Sequence, residues 1–200
     1  WRDDFRLLGF NRIDGKAPSV RTLVTSMRRV GQGSLVANDL QTSEEFEMSF
    51  ELTLLRPVQF ASTLASLVDA SSADPVLAFS LIAGSTELEC RLGRPADVAA
   101  RCIAESLPVG QLVKIHARLL GSTFIVHIDG KPVCTISGFT NRYPAKPRVQ
   151  FWLGSTQTEP ADALVGNVHY KVHHDSTDSM LYGPQTSMQK VPAQRVLLSG

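Results

Sequence analysis

Two glutamates, Glu45 and Glu47, occupy alternate positions of the segment "EEFEMSFELTLLRP" and could supply acid and base chemistry. Glycoside hydrolases use such a carboxylate pair, one as general acid and the other as base or nucleophile. Enzymes that place such a pair on one strand carry a Glu-x-Asp-x-x-Glu pattern, which is absent here. No row of aromatic residues accompanies the two glutamates either. We therefore expect both side chains to be solvated on the outer face of a strand, and we predict no catalytic residue and no enzyme activity.

The histidines are the next candidates, because imidazoles bind metals and transfer protons. His169 and His173 are four residues apart, but their segment alternates with a period of two, and a strand would separate them by about 13 Å. His116 and His127 belong to consecutive predicted strands and could face each other. No cysteine or carboxylate completes a four-ligand set around them. We therefore predict outward, solvated histidines and no metal site of this kind.

Three cysteines, Cys90, Cys102 and Cys134, permit one internal disulfide. Cys90 and Cys102 either remain thiols or, if the chain is extracellular, close a loop worth roughly 3 kcal/mol. Cys134 lies in a predicted strand with no cation beside it, so we expect a small core residue and not a nucleophile. The chain also lacks a Gly-x-Ser-x-Gly elbow and a phosphate-binding glycine-rich loop.

Positive charge is spread along the chain, and the net charge of +1 gives no reason to expect nucleic acid as a partner. Some of the basic residues could nevertheless converge on one face of a sheet, where they would suit sulfate groups. They are Arg28, Arg29, Lys114, Arg118, Arg142, Lys146 and Arg148. The alternative is dispersed charge that only keeps the surface soluble.

The elements that must position these residues are strands. Hydrophobic and polar residues alternate in "FEMSFELTL" and in "LVKIHARLL", which puts an acidic row on one strand and a basic row on the other. The Asp129-Gly130 pair in "STFIVHIDGKPVCTISGF" predicts a tight hairpin turn, because Gly130 accepts the positive φ that the turn demands. Helical composition occurs in 58–70, which could be a short helix or a loop, and in 96–107, which could be a helix or a strand with a loop.

Many short strands separated by turn signals are typical of an antiparallel sandwich or jelly roll. We therefore predict an all-β fold, a jelly-roll sandwich of two antiparallel sheets, for residues 1–174. The segment 175–200 is rich in Ser, Thr, Gln and Pro without a sustained period, and we expect a flexible tail or linker there. No apolar run approaches the ~20 residues that span a bilayer, so we predict no membrane span.

The order of four sequence blocks resembles thrombospondin N-terminal-like domains, a branch of the laminin G-like, concanavalin A-like jelly rolls. The blocks are "DDFRLLGF", "FEMSFELTL", "VGQLVKIHARLLGSTFIVHIDGKPV", and the closing pair "VQFWLGST" and "ALVGNVHYKV". The sequence departs from the family at Leu112-Val113, where Trp-His is usual, and at Gly130, where many members carry a cysteine. The family disulfide is therefore not expected in this chain.

The resemblance implies a non-catalytic, secreted module of cell adhesion or matrix assembly that recognises an extracellular protein or a heparin-like sulfated glycan. It also implies that calcium could bind at Asp69 or Asp162, although the carboxylate density of a dedicated site is missing. No other cofactor is expected. Two alternatives stay open: a glycan-hydrolysing enzyme on the same fold, and a purely structural domain that forms homo-oligomers through regions outside it.

Overall fold

The computed structural model describes residues 20–40, 45–93, 101–138 and 148–173. Every regular element in these ranges is a β-strand, which confirms the predicted all-β class. In chain order the strands are β1 (Val20–Val24), β2 (Arg28–Arg29), β3 (Ser34–Leu40), β4 (Glu45–Leu54), β5 (Ser62–Asp69), β6 (Pro75–Leu81), β7 (Glu87–Leu92), β8 (Arg101–Ser106), β9 (Leu112–Leu120), β10 (Thr123–Ile128), β11 (Lys131–Ser137), β12 (Val149–Leu153) and β13 (Ala163–His173). No helix in these ranges is long and apolar enough to cross a membrane.

The strands form two antiparallel sheets that pack face to face, as predicted for a jelly-roll sandwich. The seven-stranded sheet has the order β1-β13-β4-β9-β10-β11, with β2 paired to the beginning of β13. The six-stranded sheet has the order β3-β12-β5-β6-β7-β8. Most neighbours are therefore distant in sequence, so each face of a sheet combines residues from several parts of the chain.

The core lies between the sheets and is built by the alternation already visible in the sequence. On β4, the residues Phe46, Met48, Phe50, Leu52 and Leu54 are all buried, at most 2% exposed, because a strand directs alternate side chains to opposite faces. The six-stranded sheet contributes the inward-facing residues of its own strands in the same way.

Phe50 of β4 and Phe79 of β6 connect the two sheets directly. Their ring centroids are 4.9 Å apart and their planes are inclined at 77°, an edge-to-face arrangement that the ring quadrupoles favour. Both side chains are at most 2% exposed, so this contact lies in the centre of the apolar layer.

The Asp129-Gly130 hairpin is confirmed. It joins β10 to β11, and both turn residues have positive φ, 49° at Asp129 and 78° at Gly130. The Asp129 side chain also accepts a 2.8 Å hydrogen bond from the backbone N–H of Lys114, which fixes the turn to the neighbouring strand β9.

The helix or loop expected over 58–70 is wrong for most of that segment. Residues 62–69 form β5, which lies inside the six-stranded sheet between β12 and β6. Pairing on both sides satisfies the backbone of β5, and fully buried Leu64 and Leu67 pack into the core, so tertiary context overrides a composition rich in Ala and Leu. In the second ambiguous segment Arg101–Ser106 form β8. The predicted tail 175–200 and the block "DDFRLLGF" lie outside the described residues.

A candidate binding groove on the six-stranded sheet

A groove of about 450 Å³ runs over the outer face of the six-stranded sheet. One row of register partners crosses it: Trp152 of β12 lies opposite Ser66, Ser66 opposite Ala78, Ala78 opposite Arg91, and Arg91 opposite Arg101 of β8. Neighbouring strands are about 4.8 Å apart. The small side chains in the middle of the row leave a floor, and the large ones at either side form walls.

The first wall is the indole of Trp152. Its Nε1 donates a 3.2 Å hydrogen bond to Oε1 of Gln150, which precedes it by two residues and therefore points to the same face. This bond fixes the orientation of the ring beside the groove. An aromatic plane held next to an amide can pack on the apolar face of a ligand ring and orient its polar rim.

The floor carries hydroxyl groups in addition to its small apolar side chains. Thr63 Oγ1 lies 3.4 Å from both Ser80 Oγ and Thr158 Oγ1, and the backbone N–H of Thr63 donates to Thr158 Oγ1 at 3.3 Å. These contacts attach the loop that follows β12 to strand β5. All three residues line the groove, so hydrogen-bonding groups border one end of it.

The loop after β12 depends on Gly154, another lining residue. Its φ is +74°, and a Cβ at this position would overlap the carbonyl oxygen of Gly31. Its N–H donates a 2.9 Å hydrogen bond to the carbonyl of Leu64. Only glycine fits this close approach of two backbones without strain.

The second wall is charged and contains Glu89 and Arg91 of β7, with Arg101 of β8 beside them. Arg91 Nη2 lies 3.1 Å from Glu89 Oε1 and 3.2 Å from Oε2, and Arg101 Nε forms an ion pair with Glu89 Oε1. The Glu89 side chain is 11% exposed, whereas the Arg91 and Arg101 side chains are 38% and 50% exposed. One carboxylate thus lies between two guanidinium groups, and this wall carries a net positive charge.

The sequence did not single out any of these wall residues. A signal was present, because Gln150 and Trp152 alternate with the buried Val149, Phe151 and Leu153. The indole was therefore predictable as outward-facing. Its place opposite an arginine was not predictable, because the two residues lie on strands separated by β5 and β6.

The outer face of the seven-stranded sheet contains the acidic and basic rows seen in the sequence. The structure shows that the rows are neighbours: Glu47 of β4 lies opposite Arg118 of β9, Glu51 opposite Lys114, and Lys171 of β13 borders Glu47 on its other side. This pairing was open from the sequence. Opposite charges on adjacent strands stabilise the sheet.

The expectation that Glu45 and Glu47 are solvated is wrong, as is the same expectation for His173. The two glutamates are 4% and 6% exposed, and His173 is 6% exposed. Glu47 Oε1 lies 3.1 Å from His173 Nε2 and 3.6 Å from Arg118 Nε, and Glu47 Oε2 lies 3.5 Å from His116 Nε2. Burial is tolerated because cationic or imidazole groups surround the carboxylate.

The same surroundings decide the protonation of Glu47. Burial by itself would raise the pKa of the carboxyl group. Its contacts with His116 and His173 and the charges of Lys171 and Arg118 outweigh that effect, and the pKa of Glu47 falls far below its ordinary value. The group therefore stays ionised at any physiological pH and cannot act as a general acid.

His116 and His127 face each other across β9 and β10, as the sequence suggested. Their ring centroids are 5.8 Å apart, and the planes are inclined at 24°. Partial burial of His127, followed by the positive charge of its neighbours His116 and Arg118, lowers the pKa of His127. Within the described ranges, no group of three or more His, Cys, Asp or Glu side chains could hold a metal ion.

The seven basic residues that could have converged on one face are not brought together where the structure describes them, which agrees with the alternative of dispersed charge. Arg29 forms a 2.6 Å ion pair with Asp162, and Arg28 is exposed next to it on β2. Lys114 and Arg118 lie on β9 of the same sheet, among acidic partners. Arg148 is exposed directly before β12, in the other sheet. The remaining two, Arg142 and Lys146, lie outside the described residues.

The two calcium candidates already have other partners. Asp162 Oδ1 binds Arg29 at 2.6 Å and Oδ2 binds Arg56 at 2.8 Å. Asp69 Oδ1 accepts hydrogen bonds from the backbone N–H and the hydroxyl of Ser71, at 2.9 and 2.7 Å, within the turn between β5 and β6. Neither carboxylate is arranged as a calcium ligand here, so the structure gives the calcium prediction no support.

Of the two alternatives for Cys90 and Cys102, the disulfide between them is not formed, and Cys134, expected to be a small core residue, is disulfide-bonded. Cys102 of β8 is joined to Cys134 of β11, with a Cα–Cα distance of 6.0 Å. β8 and β11 are edge strands of the two sheets and lie on the same side of the sandwich. The disulfide therefore links one sheet to the other. Cys90 lies opposite Cys102 in register but is a buried free thiol. Burial, with a smaller contribution from the charge of Glu89, raises the pKa of Cys90 far above its ordinary value.

No protein-family model matches this chain, and no curated protein sequence is similar to it. Solved structures are similar in fold. Domain 4 of AbnA, a GH43 extracellular arabinanase from Geobacillus stearothermophilus in complex with arabinotriose, aligns with a TM-score of 0.54 and 15% identity over 84% of this chain and 83% of that chain. Trypanosoma rangeli sialidase in complex with the inhibitor DANA aligns with a TM-score of 0.53 and 12% identity over 82% of this chain, which spans only 29% of the sialidase.

Botulinum neurotoxin type C, whose cell entry depends on interaction with two ganglioside molecules, aligns with a TM-score of 0.51 and 12% identity over 82% of this chain and 46% of that chain. These structures include glycan-binding and glycan-hydrolysing proteins. At such low identities the likeness shows the fold alone. Membership of the laminin G-like family stays a prediction. The comparisons place this chain in the class of antiparallel jelly-roll β-sandwiches.

Proposed function

We propose that this chain is a non-catalytic, extracellular module that binds carbohydrate in the groove of the six-stranded sheet. The observation that carries the proposal is the row in which Trp152 faces Arg91 across the small residues Ser66 and Ala78. A sugar ring has an apolar face that packs on an indole and a rim of hydroxyls that needs hydrogen-bond partners. The groove offers both kinds of partner side by side.

The similar structures support this choice of ligand class. The arabinanase domain was solved with arabinotriose, and the neurotoxin interacts with gangliosides, so proteins with this fold do bind carbohydrates. Function depends on a site and not on a fold. For that reason the proposal rests on the groove, and the comparisons only favour carbohydrate over other ligands of similar size.

The proposal includes secretion and a role in cell adhesion or matrix assembly. The disulfide between Cys102 and Cys134 supports an oxidising compartment. A heparin-like sulfated glycan is the more specific partner that the laminin G-like resemblance suggests. Retention of the full chain on a heparin column, weakened by added salt, would support that partner, and absence of retention at low salt would remove it.

The non-catalytic part of the proposal rests on the alternating glutamates. Glu47 is held ionised by its cationic surroundings, whereas a glycosidase acid needs a raised pKa. Glu45 accepts a 2.8 Å hydrogen bond from the backbone N–H of Gly121, which is a structural contact. Turnover of a polysaccharide by the parent that disappears in Glu45→Gln and Glu47→Gln would contradict this part.

The test of carbohydrate binding is a glycan array followed by calorimetry on the best ligand. Trp152→Ala should weaken binding about tenfold or more, because a central aromatic anchor contributes most of such an interface. The matched control is Phe60→Ala, which removes an aromatic ring that is 59% exposed and does not line the groove. Equal affinity of the Trp152 variant and the parent would refute the groove as the binding site.

A further inference from the structure

A neutral sugar in the groove would leave the net positive charge of the second wall without an anionic partner. We infer that the groove is specific for a sugar that carries a carboxylate, such as a uronic acid, with the ring on Trp152 and the carboxylate on Arg91. This inference rests on the proposed carbohydrate-binding function and adds the chemical class of the ligand.

The second wall carries more positive than negative charge. Glu89 supplies one negative charge to two guanidinium groups, Arg91 and Arg101, and its carboxylate is the more buried partner. Arg101 lies on β8, behind the wall as seen from the groove, and it contacts the same oxygen as Arg91. Glu89 balances only one of the two guanidinium charges, and Arg91 is the one of the two arginines that lines the groove.

Arg91 has N–H donors that its contact with Glu89 does not use. A guanidinium has five N–H groups in a planar fork that matches a carboxylate. Within the described residues, Arg91 uses only Nη2 to reach Glu89, and Arg101 uses only Nε. The Arg91 side chain is 38% exposed and lines the groove, so a ligand carboxylate could accept from its remaining N–H groups.

Trp152 and Arg91 lie at opposite sides of the groove floor. Three strand spacings, about 14 Å between Cα atoms, separate Trp152 from Arg91 along one row. Ser66 and Ala78 fill the row between them and leave the space above the floor open. A ligand that spans this floor can contact the indole with its ring and the guanidinium with its carboxylate.

Arg118 in the other sheet also shares its carboxylate partner, Glu47, with further basic groups. Arg118 lies opposite Glu47 in a row that also contains Lys171, and the residues that continue this row on either side, Val20 and Ile125, are not aromatic. In the groove, by contrast, Arg91 shares its carboxylate partner and lies in one row with the indole of Trp152.

The experiment measures affinity for pairs of ligands that differ in one carboxylate: oligogalacturonate against its methyl ester, and sialyllactose against lactose. A sulfated heparin oligosaccharide is a third arm, because sulfate is the other anion that an arginine fork binds. We expect at least one acid to bind about tenfold or more tightly than its neutral partner, and the difference should shrink as salt is added.

Three variants test whether Arg91 is responsible for the preference for the acid. Arg91→Gln should remove the preference for the acid, so that the acid binds no more tightly than its neutral partner. Glu89→Gln should act in the opposite direction and strengthen binding of the acid, because it removes the internal competitor for Arg91. Arg28→Gln, an exposed arginine of β2 in the other sheet, is the matched control and should change nothing. Thermal unfolding of each variant establishes that it is folded.

The outcomes separate this inference from the proposal on which it rests. Equal binding of acids and neutral partners, or an acid preference that survives in Arg91→Gln, overturns the inference, while loss of binding in Trp152→Ala still supports a carbohydrate groove. Binding of the sulfated arm alone also overturns it. If no carbohydrate binds at millimolar concentration, both fail. If Glu89→Gln does not fold, Arg91→Lys replaces it, and unchanged acid affinity in that variant counts against the planar fork.

Discussion

Glu47 and His173 lie on adjacent antiparallel strands, and Nε2 of His173 is 3.1 Å from Oε1 of Glu47 although 126 residues separate them in the chain. Both residues face away from the apolar core, yet each is only 6% exposed. Lys171 and Arg118 border Glu47 on either side. A single carboxylate therefore lies among several basic groups on this face.

Glu47→Gln should destabilise the fold by about 3 kcal/mol or more, because loss of the anion leaves buried basic groups without a counter-charge. Urea unfolding at pH 7 measures the change. Glu105→Gln, which removes an exposed carboxylate of β8, is the control and should stay within about 0.5 kcal/mol of the parent. A loss below about 1 kcal/mol in the Glu47 variant would show that the cluster contributes little.

Glu47 should also make stability sensitive to acid. Its pKa in the folded protein is below the ordinary value of 4.5, so the unfolded chain takes up a proton first as the pH falls. Stability that is fully present above pH 4.5 is then progressively lost below it. Unfolding curves between pH 3 and 6 should show a slope that is smaller in Glu47→Gln, and identical slopes would contradict the assignment.

His127 should contribute a second acid-sensitive step at higher pH. Its pKa is lowered from the ordinary value of 6.5, so below that pH the unfolded state binds a proton that the folded state resists, and stability falls. Histidine NMR titration checks this directly. His127 should titrate below 6.5, and His127→Gln should flatten the stability profile just below that pH. Titration of His127 above 6.5 would contradict the prediction.

Phe79→Ala should cost about 3–5 kcal/mol, since it removes a fully buried ring and its edge-to-face contact with Phe50 between the two sheets. Chemical denaturation gives the value. The control is Phe60→Ala, whose ring is 59% exposed, and its expected change is within about 0.5 kcal/mol. Similar losses in the two variants would mean that the sheets do not pack through this contact.

Gly154→Ala should destabilise more than Gly84→Ala, although the two glycines have nearly the same φ, +74° and +73°. An alanine at either position pays about 1 kcal/mol or more for the left-handed conformation. At Gly154 the new methyl group also meets the backbone of Gly31, whereas nothing lies within 4 Å at Gly84. The difference in midpoint temperature measures this overlap, and equal midpoints would contradict it.

Peptide mapping without reduction should recover Cys102 joined to Cys134. Cys90 should react with a thiol reagent only after unfolding, because it is buried and its pKa is raised. Cys134→Ser should lose about 3–4 kcal/mol, the value for a loop of this length, and Cys90→Ala should lose less. A peptide that joins Cys90 to Cys102 would overturn the pairing described above.

Local patterns predicted the strands well where one face is buried. Hydrophobic and polar residues alternate from Phe46 to Leu54 because one side of β4 faces the core. Asp129 and Gly130 form a tight turn because both adopt positive φ. The segment that became β5 was misread, since its Ala and Leu residues favour a helix as much as a strand. Its pairing with β12 and β6 decided the matter, and pairing partners are not visible in a local window.

The candidate site was less predictable than the fold. Trp152 could be recognised as outward-facing from its position between buried Phe151 and Leu153. Its partner Arg91 could not be recognised, because the strand order places β5 and β6 between them. The cysteines illustrate the same limit, since the sequence left a bond between Cys90 and Cys102 open, and the packing of one sheet on the other selected Cys134 for Cys102.

The sequence by itself therefore determined the all-β class, the hairpin and the acidic and basic rows of β4 and β9, because these depend on side-chain period and turn chemistry within a short stretch. Only the tertiary structure decided which strands are neighbours. That order put an indole and an arginine at opposite walls of one groove, buried Glu47 among basic groups, and joined Cys102 to Cys134. Each of these contacts joins residues that sequence distance separates and strand register brings together.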